Sequence, residues 1–247
     1  MNKIEIELTK LADNERAKNN AWFFKTGKGE YGEGDKFLGI RVPQVRQVIK
    51  ANLKDATLDD AVALLKSPWH EVRLAGCILM VHLRKIAVKT GSEKAEENIY
   101  NTYLKNTKYI NNWDMVDVSA RDIVGDYLID KDRGVLYVLA KSTLLWERRI
   151  AVIATAAFIK RGEYRDVFSI CGILMHDKHD LIHKACGWML REVGKSCGKD
   201  ILNEFLDEYA RIMPRTMLRY ALEKHNDAEK RKFMDIKCDI IKKSKTK

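Results

Sequence analysis

Apolar residues recur at a helical period along almost the whole chain. From Val116 to Leu128 they occupy positions i, i+4, i+7, i+8, i+11 and i+12, which places them on one face of a helix. The segment 58–65 shows a similar pattern directly after Thr57, a residue type that caps helix N-termini. No region alternates apolar and polar residues between paired turn signals. The pattern therefore predicts an all-α protein.

The predicted helices come in similar pairs. Arg73, Asp117, Arg149 and His183 stand at corresponding points of successive pairs, separated by 44, 32 and 34 residues. Helix pairs at this spacing are typical of a HEAT-like (armadillo-type) solenoid, whose second helices line one concave groove. We expect a single repeat domain over residues 1–230 with a concave basic groove. A basic helix end and tail is expected over residues 231–247.

One long segment, residues 26–41, is predicted to be non-helical. It contains five glycines, but it lacks the GxxxxGK[ST] pattern and the preceding strand of a phosphate-binding loop. One interpretation is a flexible surface loop. The other is a loop that contacts nucleic acid through its backbone amides and through Lys28, Lys36 and Arg41. Pro43 is suited to the first turn of the helix that follows.

Charge and cysteine content narrow the partners and the location. The chain has 45 basic and 35 acidic residues, a net charge of +10, which favours a polyanion and nucleic acid first. Its five cysteines form no CxxC pair, which indicates reduced thiols in the cytoplasm. No apolar run approaches the roughly 18 residues of a membrane span, and the N-terminus does not resemble a signal peptide. We expect a cytoplasmic monomer without a membrane partner.

The candidate chemistry lies on the second helices. Trp113 and Asp117 are four residues apart and share a helix face, while Arg149 and Trp188 follow in the next two units. If the units stack, the four side chains converge on one surface, suited to a cation within a polyanion. Three of them also have a structural interpretation. Asp117 is favoured by the helix dipole or paired with Arg121 four residues later, Arg149 is a strut between repeats, and Trp188 is a core residue. Against these, an exposed tryptophan beside an exposed carboxylate is costly without a ligand.

A histidine cluster superficially resembles a metal site. His176, His179 and His183 have plausible ligand spacing, but they span a predicted turn and no cysteine lies at ligand spacing. We therefore expect no metal and no cofactor.

Four segments together resemble a known family. They are residues 24–35, 37–43, 112–117 (Asn-Trp-Asp-Met-Val-Asp) and 187–192 (Gly-Trp-Met-Leu-Arg-Glu), and they resemble the bacterial DNA alkylation repair family of the AlkD type. The resemblance extends over roughly residues 5–225. Members of that family are HEAT-like-repeat DNA glycosylases. The resemblance implies hydrolysis of the N-glycosidic bond of 3-methyladenine and 7-methylguanine in duplex DNA, near the bacterial nucleoid.

The same resemblance assigns roles to individual residues. It makes Asp117 the catalytic carboxylate, Trp113 and Trp188 the aromatic walls around the deoxyribose of the lesion, and Arg149 a contact to the neighbouring phosphate. Phe23 and Arg41 fall near the DNA-facing end of the first units.

Other classes of function compete with a monofunctional glycosylase. They are a non-catalytic HEAT-repeat DNA-binding scaffold, a protein-binding HEAT adaptor, and a bifunctional enzyme that also nicks DNA through a lysine imine. Lys184, four residues before Trp188, is the lysine that suits the imine. The joint presence of Asp117, Trp113, Trp188 and Arg149 favours the monofunctional glycosylase.

Overall fold

The computed structural model describes residues 2–235, and these residues are almost entirely helices and short turns. Within this range the β-type pairing is limited to one isolated bridge between Lys36 and Trp69. The predicted all-α class is therefore confirmed. The described residues divide into two compact units, the first ending at Tyr127 and the second beginning at Leu128.

The first unit is built around one long buried helix. Its α-helices are α1 (Lys3–Thr9), α2 (Asn14–Phe23), α3 (Val42–Asn52), α4 (Leu58–Leu65), α5 (His70–Lys89), α6 (Glu93–Lys105) and α7 (Trp113–Ala120). Helix α5 packs against α3, α4, α6 and α7. Every residue from His70 to Val81 is buried, so α5 forms the core on which the surrounding helices pack.

Local sequence explains where two of these helices begin. Thr57 caps α4, since its Oγ1 accepts the backbone N–H of Asp60 at 3.2 Å and the Asp60 carboxylate accepts the N–H of Thr57 at 2.9 Å. The predicted cap is confirmed. Pro43 lies in the first turn of α3, as expected, because the missing N–H has no helical partner there.

The helical segment predicted from Val116 to Leu128 has the expected buried face but changes its backbone geometry. Val116, Ala120, Ile123 and Leu128 are all buried. After α7 the backbone continues as a π-helical turn, Arg121–Gly125, and then as a 3-10 turn, Asp126–Leu128. Single π-helical turns are rare and occur frequently at functional sites.

The second unit is organised around α12. Its helices are α8 (Gly134–Ala140), α9 (Leu145–Ala154), α10 (Ala156–Ile159), α11 (Arg165–Ile173), α12 (Asp180–Ser196), α13 (Lys199–Tyr209), α14 (Arg215–Ala221) and α15 (Asp227–Met234). Helix α12 packs on α9, α10, α11, α13 and α14. Gly187 permits the close approach of α14, because a Cβ there would lie 2.4 Å from the carbonyl oxygen of Met217.

The predictions about the organisation of the whole chain are only partly tested by the described residues. Neighbouring helices pack on each other, α4 on α5 and α8 on α9, which is compatible with helix-pair repeats; the solenoid, its basic groove and the single domain over residues 1–230 stay predictions. In the predicted tail, residues 231–234 belong to α15. Residues 236–247 lie outside the described part of the chain.

The described cysteines are free thiols. Cys77, Cys171 and Cys186 are buried and Cys197 is half-buried, while Cys238 falls outside the described residues. Burial raises the pKa of Cys77 to about 12, so this thiol stays protonated and unreactive. None of the helices within residues 2–235 is long and apolar enough to cross a membrane.

Candidate nucleic-acid interface

Helix α7 carries the first two candidate residues on one face. Asn112 precedes the helix, is fully buried, and accepts the N–H of Trp113 on its side-chain oxygen at 2.8 Å. Trp113 and Asp117 are half-buried, whereas Met115 and Val116 between them are buried. The spacing of four residues thus places the indole and the carboxylate on the same partly exposed face, as predicted.

The opposite face of α7 is anchored in the core of the first unit. The hydroxyl groups of Tyr103 and Ser119 lie 2.8 Å apart, both fully buried. Ser119 also donates to the carbonyl oxygen of Met115 at 2.6 Å. A buried hydrogen bond between α6 and α7 restricts rotation of α7, so the orientation of its exposed face is determined by the core.

Trp113 belongs to an aromatic cluster and is not an isolated exposed indole. Its ring stacks on Phe24, with centroids 5.3 Å apart and an interplanar angle of 19°. Phe24 stacks in turn on Phe37 at 5.1 Å, and Phe23 meets Trp113 edge-on at 6.1 Å. The description of Trp113 as an exposed tryptophan is therefore wrong: the stacking partner covers part of it and reduces the cost of its exposure.

A buried histidine lies beneath this aromatic cluster. His70 is 1% exposed, and its Nδ1 and Nε2 lie 2.8 Å from the carboxylates of Asp35 and Asp114. Burial alone lowers the pKa of His70, but the hydrogen bonds and charges of Asp114 and Asp35 outweigh it and raise the pKa to about 9. At neutral pH the His70 imidazolium therefore connects two segments. It contacts Asp35 in residues 26–41, called here the Gly-rich segment, and Asp114 in the first turn of α7.

Arg73 strengthens the same connection. Its guanidinium donates to Asp35 at 2.5 Å, to the carbonyl oxygen of Ser67 at 3.0 Å and to the side-chain oxygen of Asn111 at 3.1 Å. Burial favours the neutral form of Asp35, yet the His70 hydrogen bond and the Arg73 charge hold the pKa of Asp35 below its usual value. Because Asn111 lies two residues before Trp113, the first residue of α7, Arg73 links the start of this helix to the Gly-rich segment.

Glu71 holds the last part of the Gly-rich segment against α5. Its carboxylate is 3% exposed and accepts the backbone N–H groups of Leu38 and Gly39 at 2.8 Å and of Ile40 at 3.2 Å. Gly39 has φ +80°, and a Cβ there would lie 2.1 Å from the carbonyl oxygen of Asp13. The interpretation of residues 26–41 as a flexible surface loop is therefore wrong for residues 35–40, because α5 binds the Asp35 carboxylate and the backbone amides of residues 38–40.

The first part of the Gly-rich segment satisfies its own amides. Gly27 donates to the Glu30 carboxylate at 2.9 Å, and Gly29 donates to the Glu33 carboxylate at 2.8 Å. Binding of a phosphate by these two amides would require displacement of both carboxylates, which argues against the predicted contact through backbone amides. Lys28, Lys36 and Arg41 are exposed, and their contacts with nucleic acid stay predictions.

Phe23 and Arg41 both lie near the aromatic cluster. Phe23 is 55% exposed and contacts Trp113. Arg41 precedes α3 and lines a cavity of about 390 Å³ together with Phe24, His70 and Asp114. Both residues thus lie at the same surface as Trp113, and their contacts with DNA stay predictions.

Sequence reasoning missed the residues that support this surface. His70, Glu71, Phe24 and Asp114 were not predicted to have any role there. Phe24 and Asp114 occur in the segments that resemble the repair family, but no spacing rule connects residues 24, 35, 70 and 114. Only the packing of α2, α5 and α7 brings them together.

In the second unit, Arg149 makes a structural contact. It is 5% exposed, and its Nη1 donates to the carbonyl oxygen of Leu181 at 2.7 Å. This bond from α9 to the first turn of α12 has the geometry of the inter-repeat strut that the sequence also allowed. The contact of Arg149 with a phosphate stays a prediction.

Trp188 and Lys184 lie on α12. Trp188 is half-buried, intermediate between the core and ligand-facing interpretations, and its assignment stays a prediction. The ammonium of Lys184 forms an ion pair with Asp180 at 2.8 Å. An imine would require release of Lys184 from this ion pair.

Two of the clustered histidines bond to the backbone around the start of α12. Nδ1 of His179 accepts the N–H of Leu181 at 3.1 Å, and Nε2 of His183 donates to the carbonyl oxygen of Asp177 at 2.6 Å. In the part of the chain that the structure describes, no group of three acidic, histidine or cysteine side chains is arranged to hold a metal ion.

Comparison with known proteins places the chain in a family. The model of a family described as DNA alkylation repair enzyme matches residues 4–225. The chain belongs to this DNA alkylation repair family. A solved structure from Enterococcus faecalis, described as a predicted DNA alkylation repair enzyme, has a TM-score of 0.66 at 17% identity and covers 87% of this chain and 97% of that chain. That likeness shows a shared fold. A comparison with curated proteins found no match.

Membership of the DNA alkylation repair family sets the broad function. Its members are named as enzymes of DNA alkylation repair, so this protein acts in DNA repair and DNA is its substrate. The resemblance stated from the sequence motifs is confirmed at the level of the family.

Proposed function

We propose that this member of the DNA alkylation repair family is a monofunctional glycosylase. Its substrates are positively charged alkylated purines in duplex DNA, 3-methyladenine and 7-methylguanine. The observation that supports the proposal most strongly is the pairing of Asp117 with Trp113 on the one partly exposed face of α7. Hydrogen bonds hold the back of that helix and an aromatic stack holds its first turn.

The chemistry of these lesions requires one carboxylate. Ordinary glycoside hydrolysis uses two carboxyl groups, one of which protonates the leaving group. An alkylated purine is already cationic, so it takes the electron pair of the broken C1′–N bond and departs neutral. Water then forms the new C1′–O bond and loses a proton. Asp117 stabilises the oxocarbenium-like sugar and orients the water that attacks it.

Trp113 supplies a preorganised aromatic surface. A cation over an indole face gains roughly 0.5–2 kcal/mol, and this attraction increases as positive charge develops on the sugar. It therefore stabilises the transition state more than the ground state. Because Phe24 already holds the ring of Trp113, little side-chain ordering remains to be done when DNA binds.

Trp188 and Arg149 enter the proposal through the family resemblance. We assign Trp188 as a second aromatic contact to the deoxyribose and Arg149 as a contact to the adjacent phosphate, since a guanidinium binds phosphate through two parallel N–H bonds. The bond from Arg149 to Leu181 supports a structural role as well. The two roles of Arg149 predict different measurements, described in the Discussion.

The direct test is base release from duplex DNA that contains 7-methylguanine. Wild-type protein is expected to release the free base, and Asp117→Asn is expected to slow release by about 10²–10³-fold, the usual loss when one electrostatic stabiliser of a transition state is removed. Binding to undamaged duplex should be unchanged. Asp59→Asn is the matched control, because Asp59 is an exposed carboxylate on α4; this variant should keep full activity.

Several outcomes would contradict the proposal. Tight, salt-sensitive DNA binding without base release would identify a non-catalytic scaffold, and the absence of salt-dependent DNA binding would identify a protein-binding adaptor. Efficient excision of uracil or hypoxanthine, which are neutral, would show that lesion charge does not determine selectivity. Strand nicking, together with a covalent protein–DNA complex trapped by borohydride, would indicate a lysine imine.

A further inference from the structure

Two aromatic side chains at the end of α2 are unusually exposed. Trp22 is 76% exposed and Phe23 is 55% exposed. Among residues 2–235, Trp22 is the most exposed large hydrophobic residue, followed by Val138 at 70%. Tryptophan is highly buried on average in folded proteins, so this pair requires an explanation beyond the packing of α2.

The backbone that carries these aromatics is held in place. Lys25 follows Trp22, Phe23 and Phe24 in the sequence. It has φ +56° and is the one non-glycine residue with positive φ in the described part of the chain. Its carbonyl oxygen accepts the N–H of Gly32 at 3.0 Å, and Thr26 donates its N–H to the carbonyl oxygen of Ala21 at 3.2 Å. A Cβ at Gly32 would lie 2.4 Å from the Phe24 carbonyl oxygen. Left-handed backbone at a lysine is uncommon and is retained where surrounding structure enforces it.

The exposed pair continues the aromatic surface of α7. The ring of Phe23 contacts Trp113 edge-on, with centroids 6.1 Å apart. The ring of Phe24 packs on both, with centroids 5.1 Å from Phe23 and 5.3 Å from Trp113. The ammonium of Lys25 lies 5.3 Å from the centre of the Trp22 ring. Aromatic rings beside a cation are the combination with which proteins bind unstacked nucleobases and the phosphates that join them.

We propose that Trp22 and Phe23 form a stacking surface for a nucleobase that has lost its stacking partner near the lesion, with Lys25 contacting the adjacent phosphate. The proposal rests on the proposed function of α7. A base held on Trp22 and Phe23 cannot restack in the duplex, which keeps the deoxyribose of the lesion accessible to Asp117. The surface therefore acts on the DNA conformation, whereas Asp117 acts on the bond.

DNA fits this surface better than a membrane does. A helix that lies in a membrane interface presents a long apolar face. Helix α2 is polar along most of its length, and none of its residues is buried. Its large apolar side chains are confined to the last two positions, Trp22 and Phe23. The continuity with Trp113 and the net charge of +10 both favour a nucleic acid.

The test separates DNA engagement from catalysis by working in an Asp117→Asn background. A duplex with 7-methylguanine carries 5-iodouracil opposite or next to the lesion, and ultraviolet light cross-links iodouracil to an aromatic ring stacked on it. We expect a cross-link that maps to Trp22 or Phe23. Adding Trp22→Ala should abolish the cross-link at that position and weaken binding to the lesion duplex about tenfold.

Val138→Ala is the matched control, because it also removes an exposed apolar side chain; it should leave cross-linking and affinity unchanged. Unaltered affinity in Trp22→Ala, together with cross-links that map elsewhere, would overturn the proposal. So would Trp22-dependent sedimentation with phosphatidylglycerol vesicles while DNA binding stays intact. Cross-linking at Trp22 without base release by the wild type would refute only the glycosylase.

Discussion

At the scale of single residues, the first unit uses charged side chains to connect segments that are distant in sequence. His70 contacts Asp35 and Asp114 with its two ring nitrogens, and Arg73 donates to Asp35 as well. Breaking a buried ion pair costs more than forming it gains, because the remaining partner is left buried and charged. The orientation of Asp114 and of the α7 start next to it therefore depends on the protonation of His70.

His70 makes the stability of the first unit depend on pH. Its folded pKa of about 9 lies above the ordinary value of 6.5, so its contribution is complete below pH 6.5 and is lost as pH rises through about 9. Asp35 acts in the opposite direction: its pKa is lowered from 3.8, so its contribution is present above that value and is lost as pH falls through the folded pKa.

We expect the urea unfolding free energy of the wild type to fall between about pH 6.5 and pH 9.5. His70→Asn should unfold about 3 kcal/mol more easily at neutral pH and should lack most of this fall. His82→Asn is the control, because burial and the charges of Lys85 and Arg46 lower the pKa of His82; this variant should show the wild-type fall. An equal pH dependence in His70→Asn would contradict the assignment.

At the scale of elements, each candidate residue is oriented by the helix contacts behind it. Helix α7 packs on α5 and is bonded to α6 through Tyr103 and Ser119. The Gly-rich segment is held by Glu71 on α5. In the second unit Arg149 ties α9 to the start of α12. A residue can therefore serve both the packing of two elements and the chemistry that those elements carry.

Arg149 allows these two roles to be separated. Arg149→Lys keeps the charge but lacks the planar fork, so it cannot reproduce both the bond to Leu181 and a two-point phosphate contact. If Arg149 is only a strut, the variant should lower the thermal midpoint by several degrees, corresponding to about 1–2 kcal/mol, without changing kcat for base release. If it also contacts phosphate, kcat/KM should fall further than stability explains.

The control for this experiment is Arg161→Lys. Arg161 is half-exposed and forms longer ion pairs with Asp130 and Glu163, at 3.7 and 3.5 Å. The Arg161→Lys variant should change neither the thermal midpoint nor kcat/KM for base release measurably. Full activity and full stability in Arg149→Lys would contradict both assigned roles.

At the scale of the whole molecule, the excess of ten positive charges is the property most directly related to DNA affinity. Lys28, Lys36 and Arg41 are exposed within the first unit. Each phosphate contact releases counterions, so the logarithm of the binding constant decreases linearly with the logarithm of the salt concentration. The slope of this line is proportional to the number of phosphate contacts.

We expect affinity for undamaged duplex to fall at least tenfold between about 50 and 200 mM salt. Lys28→Ala and Lys36→Ala should each reduce the slope by about 1. Lys89→Ala, which removes an exposed lysine from the end of α5, serves as the control and should leave the slope as in the wild type. Unchanged slopes in all three variants would remove the Gly-rich segment from the DNA contact.

The sequence alone determined the helical class, the starts of two helices and the shared face of Trp113 and Asp117. These depend on interactions within a few residues: the helical period, the Thr57 cap, the Pro43 start and the four-residue spacing. The family motifs are likewise short runs. Each of these features is therefore readable from a local stretch of chain.

Only the tertiary structure decided how the candidate surface is supported. The His70 imidazolium between Asp35 and Asp114, the three amides on Glu71 and the stack of Trp113 on Phe24 join residues far apart in sequence. Residue type shows that His70 can bond to carboxylates, but not which carboxylates the packing brings within 3 Å of it. Burial then makes those contacts strong, because little water competes for them.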